Sequence, residues 1–295
     1  MTILVTGATG FIGNNLLRRL RKENTIIDVI VRPDSKLNSL KGSDKVNILE
    51  HDGTMEDMDR IIQKSNPKLV FHLATNFVSE HSSEDLDDMV TSNILYGTQL
   101  LEALSKTNCK NIVNTGTSWQ HYKSSSYSPV NFYSSTKKAF EDILLFYHEA
   151  RSFNVINLKL FDTYGPNDNR GKLFSLLMNA KDNNTILEMS AGEQLLDLVH
   201  VNDVIDALFG CIELFNRDTA FFEEYLISSG THISLKKVVE IFSKVSGKDI
   251  VVNWGARDYR DREVMIPWNK GKPFPNWSAK IDLQKGIKDM IKDAI

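Results

Sequence analysis

The sequence predicts an α/β fold in which a doubly wound parallel sheet is joined to a smaller C-terminal substrate domain. The first half of the chain alternates short β-rich runs with longer segments whose apolar residues recur three and four positions apart, such as Leu16, Leu17 and Leu20. That alternation is typical of a parallel sheet with helices on both faces. A glycine-rich turn follows the first strand, and the alternation ends after about Leu160.

The first half contains six predicted strands, the number found in a doubly wound dinucleotide-binding domain. They are Thr2–Thr6, Ile26–Val31, Val46–Glu50, Leu69–Leu73, Asn111–Thr115 and Asn154–Leu160. We therefore expect residues 1–162, with a contribution from about 198–230, to form this domain.

The second half begins with turn chemistry at Tyr164-Gly165-Pro166-Asn167. Helical patterns return at Lys172–Lys181, Val201–Phe215 and Leu235–Ser246, and a short amphipathic helix starts at Leu283. We expect residues 163–197 and 231–295 to form a smaller substrate-binding domain.

The composition is that of a globular enzyme, with 41% hydrophobic and 25% charged residues and a net charge of −3. This balance argues against nucleic-acid and membrane partners. The chain has two cysteines, Cys109 and Cys211, which lack metal-ligand spacing. We expect reduced structural thiols, no metal and a cytoplasmic location.

The segment Val5-Thr6-Gly7-Ala8-Thr9-Gly10-Phe11-Ile12-Gly13 joins the first strand to a helix. Gly7 permits the tight turn, Gly10 lets backbone approach a pyrophosphate, and Gly13 lets the helix pack closely on the sheet. The helix N-terminus supplies N–H groups to the phosphates. We predict a nicotinamide dinucleotide here, with Thr9, Phe11 and Ile12 beside it.

The loop after the second strand bears on which cofactor binds. NAD needs an acid there for the ribose 2′-hydroxyl, whereas NADP brings a phosphate that favours cations. Arg32 occupies the first loop position and Lys36 follows, while Asp28 lies inside the strand. The pattern favours NADP(H), with NAD(H) as the alternative.

The pair Tyr133 and Lys137 carries the predicted chemistry. Four residues apart on a helix, the two side chains share one face. A free tyrosine is a poor acid at neutral pH, and we expect the neighbouring ammonium and a nicotinamide charge to lower its pKa. Tyr133 can then exchange a proton with a sugar oxygen while hydride moves at the same carbon.

These motifs, with GxxGxxG spacing rather than GxGxxG, resemble the extended short-chain dehydrogenase/reductase superfamily. The resemblance places His72-Leu73-Ala74-Thr75 and Thr115 along the cofactor, Asp52 and Gly53 at the adenine, and Asn93 on the central helix. It places Thr117 at the hydroxyl that hydrogen-bonds the reacting carbonyl, with Ser118 as the neighbouring candidate. It also implies a homodimer, through the helices that begin near Ser83 and Phe132.

The superfamily includes epimerases, dehydratases and reductases. Its 4,6-dehydratases place an Asp-Glu pair after the catalytic threonine, where this chain has Ser118-Trp119-Gln120, so elimination is disfavoured. Two segments and the spacing between two motifs resemble the CDP-paratose and CDP-abequose synthases, which reduce a CDP-linked 4-keto sugar. They are Thr115-Gly116-Thr117-Ser118, its short spacing to Tyr133-Ser134-Ser135-Thr136-Lys137, and Leu158-Lys159-Leu160-Phe161-Asp162-Thr163-Tyr164-Gly165. We expect an NADPH-dependent 4-ketoreductase of a nucleotide-linked deoxysugar; the alternatives are a sugar-nucleotide 4-epimerase and a non-catalytic NADP(H) sensor.

Residues on the substrate side are harder to place from sequence. A substrate diphosphate needs cations, and Arg257, Arg260 and Arg262 lie in a segment that resembles the family's late arginine motif. Thr117, Trp119 and Asn167 complete the predicted substrate contacts.

Overall fold

The chain folds around a seven-stranded sheet in which every neighbouring pair of strands is parallel. The computed structural model describes residues 1–38, 40, 42, 44–215 and 220–293. The sheet contains β1 (Thr2–Thr6), β2 (Ile26–Val31), β3 (Val46–Glu50), β4 (Leu69–His72), β5 (Asn111–Thr117), β6 (Asn154–Leu160) and β10 (Phe222–Ile227). Their spatial order is β10-β6-β5-β4-β1-β2-β3, so the predicted fold class is confirmed.

Two smaller sheets are built from the remaining described strands. These are β7 (Asp162–Tyr164), β8 (Leu187–Met189), β9 (Leu195–His200), β11 (His232–Ser234) and β12 (Val252–Trp254). One sheet has the order β11-β9-β7, and the other pairs β12 with β8.

Helices follow most strands of the large sheet. They are α1 (Phe11–Leu20), α2 (Met55–Ser65), α3 (Leu86–Val90), α4 (Tyr96–Ser105), α5 (Phe132–Arg151), α6 (Leu173–Asn183), α7 (Val201–Leu214), α8 (Leu235–Ser246) and α9 (Leu283–Asp293). A π-helical segment, Thr91–Leu95, joins α3 to α4, and single 3₁₀ turns lie at Ser83–Asp85, Ser118–Gln120 and Tyr122–Ser124. Over the described residues, the helices are too short or too polar to cross a membrane.

The six predicted strands are all present, with small changes at their ends. Strand β5 continues two residues beyond the prediction, to Thr117, and β4 ends one residue earlier, at His72. The seventh strand, β10, pairs with β6 at one edge of the sheet. Its first half is only partly buried and carries Glu223 and Glu224, so it lacks the continuous apolar pattern of a central strand.

The core lies in separate layers. One cluster packs the sheet against α1 and α7, and a second packs its other face against α2, α4 and α5. A third cluster, drawn from the second half of the chain, joins α6, α8 and α9. The two layers on the sheet support its carboxyl edge from both sides.

Strand order reverses between β1 and β4, because the chain runs from β1 outward to β3 and then returns to the other side of β1. In open α/β sheets, ligands bind in the crevice at such a switch point, beyond the carboxyl ends of the strands. The fold therefore directs the search for a site to this edge.

Candidate active site

A cleft of about 970 Å³ opens at the carboxyl ends of β1, β4 and β5. Thirteen of the predicted cofactor residues line it: Gly7, Thr9, Gly10, Phe11, Ile12, Gly13, Arg32, Asp52, Gly53, Leu73, Ala74, Thr75 and Thr115. Thr117, Ser118, Trp119 and Tyr133 line it too. The cleft therefore brings together most of the residues that the sequence singled out.

The glycine turn has the geometry that a dinucleotide phosphate requires. Gly7 has a φ of +71°, and a Cβ at this position would lie 2.6 Å from the backbone nitrogen of Ala74. Gly10 is the N-cap of α1 and offers no side-chain cap to the first turn, so the N-terminal N–H groups of the helix are left for an anion. These features fit a nicotinamide dinucleotide.

Arg32 lies at the far end of the cleft, in the loop after β2. Its side chain is 77% exposed and its Nε is 3.8 Å from Asp34. Its backbone N–H donates to the Ser35 hydroxyl at 3.0 Å, so Arg32 and Ser35 belong to one turn where β2 ends. Lys36 is exposed and lies outside the cleft lining.

Asp52 and Gly53 line the cleft next to a compact polar turn. Asp52 accepts hydrogen bonds from the backbone N–H (2.8 Å) and hydroxyl (2.7 Å) of Thr54, and these bonds lower the pKa of its carboxyl group. His51 Nδ1 lies 3.4 Å from Asp57. Asp57 accepts hydrogen bonds from the Arg60 Nε at 2.7 Å and from the Asp52 backbone N–H at 3.1 Å.

Asn93 lies behind the cleft wall and is 1% exposed. Its amide nitrogen donates to the Asn76 carbonyl and the Thr136 hydroxyl, both at 2.9 Å. Its oxygen accepts from the Thr75 hydroxyl (2.9 Å) and the Asn76 N–H (2.7 Å). Asn93 sits in the π-helical segment, a feature frequent at functional sites. The structure thus places Asn93 as a support for Thr75 and Asn76, which line the cleft.

Tyr133 sits in the first turn of α5, whose start is fixed by a capping box between Asn131 and Ser134. Lys137 lies one turn further along and is 1% exposed. Thr117, at the end of β5, is 8% exposed and its hydroxyl accepts the backbone N–H of Trp119 at 3.2 Å. The cleft wall therefore carries the predicted phenol and hydroxyl, with the ammonium buried behind them.

The predicted lowering of the Tyr133 pKa is wrong for the protein's own groups. Burial raises the pKa of Tyr133 to about 12, although the Thr75 hydroxyl and the charge of Arg170 oppose the rise. Burial also lowers the pKa of Lys137 to about 8. For both groups the loss of hydration outweighs the effect of the local charges.

Several cleft residues were missed in the sequence. Phe77 packs edge-on against Tyr133 with ring centroids 4.9 Å apart, and the Lys172 Nζ lies 4.5 Å above the Phe77 ring. Arg170 lies 4.4 Å above the Phe11 ring and donates to the Thr163 carbonyl at 2.7 Å. Arg170 and Lys172 follow the Tyr164-Gly165-Pro166 turn in the sequence, which by itself does not indicate that they reach the cleft.

Asp162 also lines the cleft, near Lys172. Burial raises the pKa of the Asp162 carboxyl, while the charge of Lys172 opposes the rise. Burial lowers the pKa of Lys172, and Asp162 opposes that change in turn. The two groups form an opposite-charge pair within the cleft wall.

The predicted substrate arginines lie outside the cleft lining. Arg260 is the one that approaches it, with its guanidinium 5.8 Å from the Trp119 ring and its Nε 4.0 Å from Glu80. Arg262 donates to the Ser128 hydroxyl at 2.6 Å. Arg257 is exposed, and its backbone N–H donates to Met189.

Asn167 is likewise exposed and donates a short hydrogen bond to Asp293. His200, in contrast, is buried, and its Nδ1 accepts the N–H of Asn202 at the start of α7. Both side chains make contacts within the second half of the chain rather than in the cleft.

A model of the NAD dependent epimerase/dehydratase family matches residues 3–221, and the chain belongs to that family. CDP-abequose synthase of Salmonella muenchen is 28% identical over 98% of this chain and 96% of its own length. The dTDP-4-dehydro-6-deoxyglucose reductase of Escherichia coli is 22% identical over 98% of this chain and 96% of its own.

A solved structure, the UDP-glucose 4-epimerase of Thermotoga maritima with UDP-glucose, has a TM-score of 0.87 and 21% identity to this chain. It matches 100% of this chain and 98% of its own. At this identity the likeness shows the fold, which agrees with the sheet order described above.

Proposed function

We propose that this protein is an NADPH-dependent reductase of the 4-keto group of a nucleotide-linked deoxysugar, with CDP as the nucleotide. The observation that carries the proposal is the single cleft that joins Arg32 at one end to Thr117 and Tyr133 at the other. Full-length similarity to a CDP-abequose synthase and to a dTDP-4-dehydro-6-deoxyglucose reductase supports it.

The side chains of the cleft would act on the sugar oxygen. The Thr117 hydroxyl donates a hydrogen bond to the keto oxygen, and Tyr133 protonates that oxygen as it becomes an alkoxide. Lys137, as an ammonium, favours the phenolate that Tyr133 leaves behind. The bound reduced nicotinamide supplies the hydride. The Phe77 and Trp119 rings, 5.9 Å apart, exclude water from the sugar.

The positions that follow Thr117 argue against dehydration, because Ser118 and Trp119 stand where the family's 4,6-dehydratases have an Asp-Glu pair. Gln120 is fully buried, and its amide is directed away from the cleft to Glu141 and Lys159. It offers no acid for expelling a hydroxyl from the sugar. Reduction and epimerisation, which can use Thr117, Tyr133 and Lys137 together with a hydride, are both compatible with this site.

Arg32 and Ser35 are the residues that favour NADPH. A 2′-phosphate would accept hydrogen bonds from the guanidinium, which is pre-formed for such pairing. For the substrate diphosphate we propose Arg260, at the rim beside Trp119, together with Lys172 and Arg170 in the cleft. At the cofactor end of the cleft the alternative is NAD(H), and at the substrate end it is a sugar linked to a nucleotide other than CDP.

A sugar-nucleotide 4-epimerase is the second candidate, because solved epimerases share this fold along the whole chain. An epimerase returns its cofactor to the starting state in each cycle, whereas a reductase consumes it. A non-catalytic NADP(H) sensor is a third possibility, and it would not depend on Tyr133.

The proposal is tested by mixing the protein with NADPH and a CDP-4-keto-6-deoxy or CDP-4-keto-3,6-dideoxy sugar and following the loss of NADPH absorbance. We expect turnover, and a loss of about 100-fold or more in kcat for Tyr133→Phe, since a positioned acid contributes about that much. Tyr127→Phe, at a tyrosine that is 46% exposed, should leave kcat unchanged.

If the configuration of a sugar carbon is inverted without net consumption of NADPH, the epimerase becomes the favoured function in place of the reductase. Cofactor binding without turnover of any nucleotide keto sugar would favour the sensor.

We further propose a cytoplasmic homodimer whose substrate-binding domain comprises residues 163–197 and 231–295, beside the cofactor domain of residues 1–162 and about 198–230. The third apolar cluster supports this division, since its members come almost entirely from the second half of the chain.

A further inference from the structure

Beneath the cleft lies a buried cluster of charged and amide side chains that the proposed mechanism does not use. The Lys159 Nζ lies 2.6 Å from Glu141 Oε2 and 2.7 Å from Glu141 Oε1. The Lys159 and Glu141 side chains are 3% and 1% exposed. Charges this deeply buried are rare in proteins unless they are paired.

The cluster connects four elements of the active-site region. Glu141 lies on α5, Lys159 on β6 and Glu224 on β10, with Glu224 3.0 Å from Lys159. Gln120, after β5, donates to Glu141 at 2.8 Å and accepts from Lys159 at 2.9 Å. The same Gln120 oxygen accepts the backbone N–H of Thr117 at 3.1 Å.

The helical spacing links this cluster to the catalytic pair. Tyr133, Lys137 and Glu141 follow one another at intervals of four residues, and side chains so spaced share one face of a helix. Gly116 provides the space above the cluster, since a Cβ there would clash with the Glu141 carboxylate and come within 2.9 Å of Lys159 Cδ.

We propose that Glu141 is a positioning residue which, with Lys159 and Gln120, holds the end of β5 against the face of α5 that carries Tyr133 and Lys137. Its charge also favours the ammonium form of Lys137. The inference rests on the proposed roles of Tyr133 and Lys137. No atom of Glu141 needs to reach the cleft, because it acts through Lys137 and through the backbone at Thr117.

Among the described residues, the titratable groups around Lys137 come from three elements. Tyr133 and Glu141 lie on its own helix, Lys159 on β6, and His72 on β4. The pKa of Lys137 is lowered to about 8, mainly by burial and also by the charge of Lys159, while the charge of Glu141 opposes the fall. Without Glu141, two buried ammonium groups would face each other.

The two partners of the ion pair should therefore have opposite effects on Lys137. In protein labelled with [13C]lysine, the Lys137 resonance is identified as the one missing from Lys137→Met and is titrated by NMR. We expect Glu141→Gln to lower the titration midpoint by about one pH unit and Lys159→Met to raise it by about as much. A scaffold role alone would not move the two midpoints in opposite directions.

Asp142→Asn is the matched control, because Asp142 is the next residue along the helix and its side chain is 62% exposed. Its midpoint should equal that of the wild type. If Glu141→Gln does not fold, Glu224→Gln replaces it, since this carboxylate is 44% exposed and its loss should move the midpoint in the same direction by a smaller amount.

Midpoints that stay in place, or that move the same way in Glu141→Gln and Lys159→Met, would overturn the inference. If Glu141→Gln does not fold and Glu224→Gln is used in its place, a Lys137 titration midpoint that is unchanged or raised in Glu224→Gln would overturn the inference.

The NMR titration needs no sugar or cofactor, so its outcome is independent of the proposed function.

A second readout tests the link to catalysis. At pH 8 we expect kcat for NADPH oxidation in Glu141→Gln to fall about fivefold, because the charged fraction of Lys137 falls from about a half to about a tenth. Opposite NMR shifts without this change in kcat would contradict the role of Lys137 in turnover, and leave the electrostatic role of Glu141 in place.

Discussion

At the scale of single residues, Arg32 is the side chain on which the proposed preference for NADPH depends. It follows the last residue of β2, lines the cleft and shares its turn with the Ser35 hydroxyl. Its side chain is 77% exposed, and the Asp34 side chain that pairs with it is 81% exposed. An exposed pair of this kind contributes little, so the guanidinium can turn to a phosphate at small cost.

Replacing Arg32 with serine should weaken NADPH binding without weakening NADH binding. Hydrogen bonds to a charged phosphate contribute about 1.5–3 kcal/mol, so the Kd for NADPH should rise about tenfold or more. Fluorescence titration with both cofactors measures this. Arg18→Ser, at an exposed arginine on α1, is the control, and equal losses for NADH and NADPH would show that Arg32 does not read the 2′-phosphate.

How well single residues could be predicted depends on whether a local backbone rule applies to them. Gly7 was predictable because a tight strand-to-helix turn demands a positive φ, and the structure shows one. Arg170 and Lys172 were not, because they reach the cleft from the second half of the chain, and no local pattern encodes that approach. Burial of Tyr133 likewise depends on neighbours such as Phe77, distant in sequence.

At the scale of elements, the contact between β1 and β4 holds the floor of the cleft. The Thr6 hydroxyl oxygen accepts the backbone N–H groups of Leu73 and Ala74, both at 3.2 Å. Its proton is therefore available to His72 Nδ1, 2.9 Å away, which puts the imidazole in the neutral form with its proton on Nε2. Ala74 is also the residue against which Gly7 packs.

This contact should make stability depend on pH. Burial, then the charge of Lys137, lowers the pKa of His72 from 6.5 to about 3. Between about pH 6.5 and pH 3, the His72 imidazole is therefore protonated in the unfolded chain and neutral in the folded chain. Stability is lost as the pH falls through this range. Between pH 7 and pH 5 the free energy of unfolding should fall by about 2 kcal/mol through this residue.

Urea denaturation at the two pH values measures the effect. His72→Asn keeps an acceptor for Thr6 and should lose this part of the pH dependence, whatever its stability at pH 7. His81→Asn, at an exposed histidine, should keep it. An unchanged difference between pH 7 and pH 5 in His72→Asn would contradict the assignment.

Elements were predictable where burial produces a regular pattern. The run Ile26–Val31 is buried in five of its six residues, and its strand has the predicted bounds. Strand β10 at the edge of the sheet, and the π-helical segment around Asn93, follow no such pattern. Strand β10 is set by its pairing with β6. The π-helical segment is set by the hydrogen bonds that Asn93 makes to Asn76 and Thr136.

At the scale of the whole molecule, α3 and α5 leave apolar side chains on the surface. Leu86 and Val90 on α3 are 36% and 41% exposed, and Leu145 and Phe146 on α5 are 40% and 56% exposed. The two helices contact each other. Scattered apolar residues on a surface need no explanation, whereas several on adjoining helices mark an interaction site.

We expect this surface to form the proposed homodimer, as an isologous contact between the same helices of two copies. Phe146→Glu would place a charge in the interface and should convert the dimer to a monomer, seen as a halving of the mass in light scattering after size exclusion. The buried faces of α5 carry Lys137, Phe140, Glu141 and Leu144, so a charge at Phe146 should leave the fold and the NADPH affinity intact.

Phe77→Glu is the control. Phe77 is another partly exposed phenylalanine, at 38%, but it lines the cleft, so this variant should remain dimeric and lose turnover. A wild-type protein that is monomeric at micromolar concentration, or a Phe146→Glu variant that remains dimeric, would remove α5 from the interface.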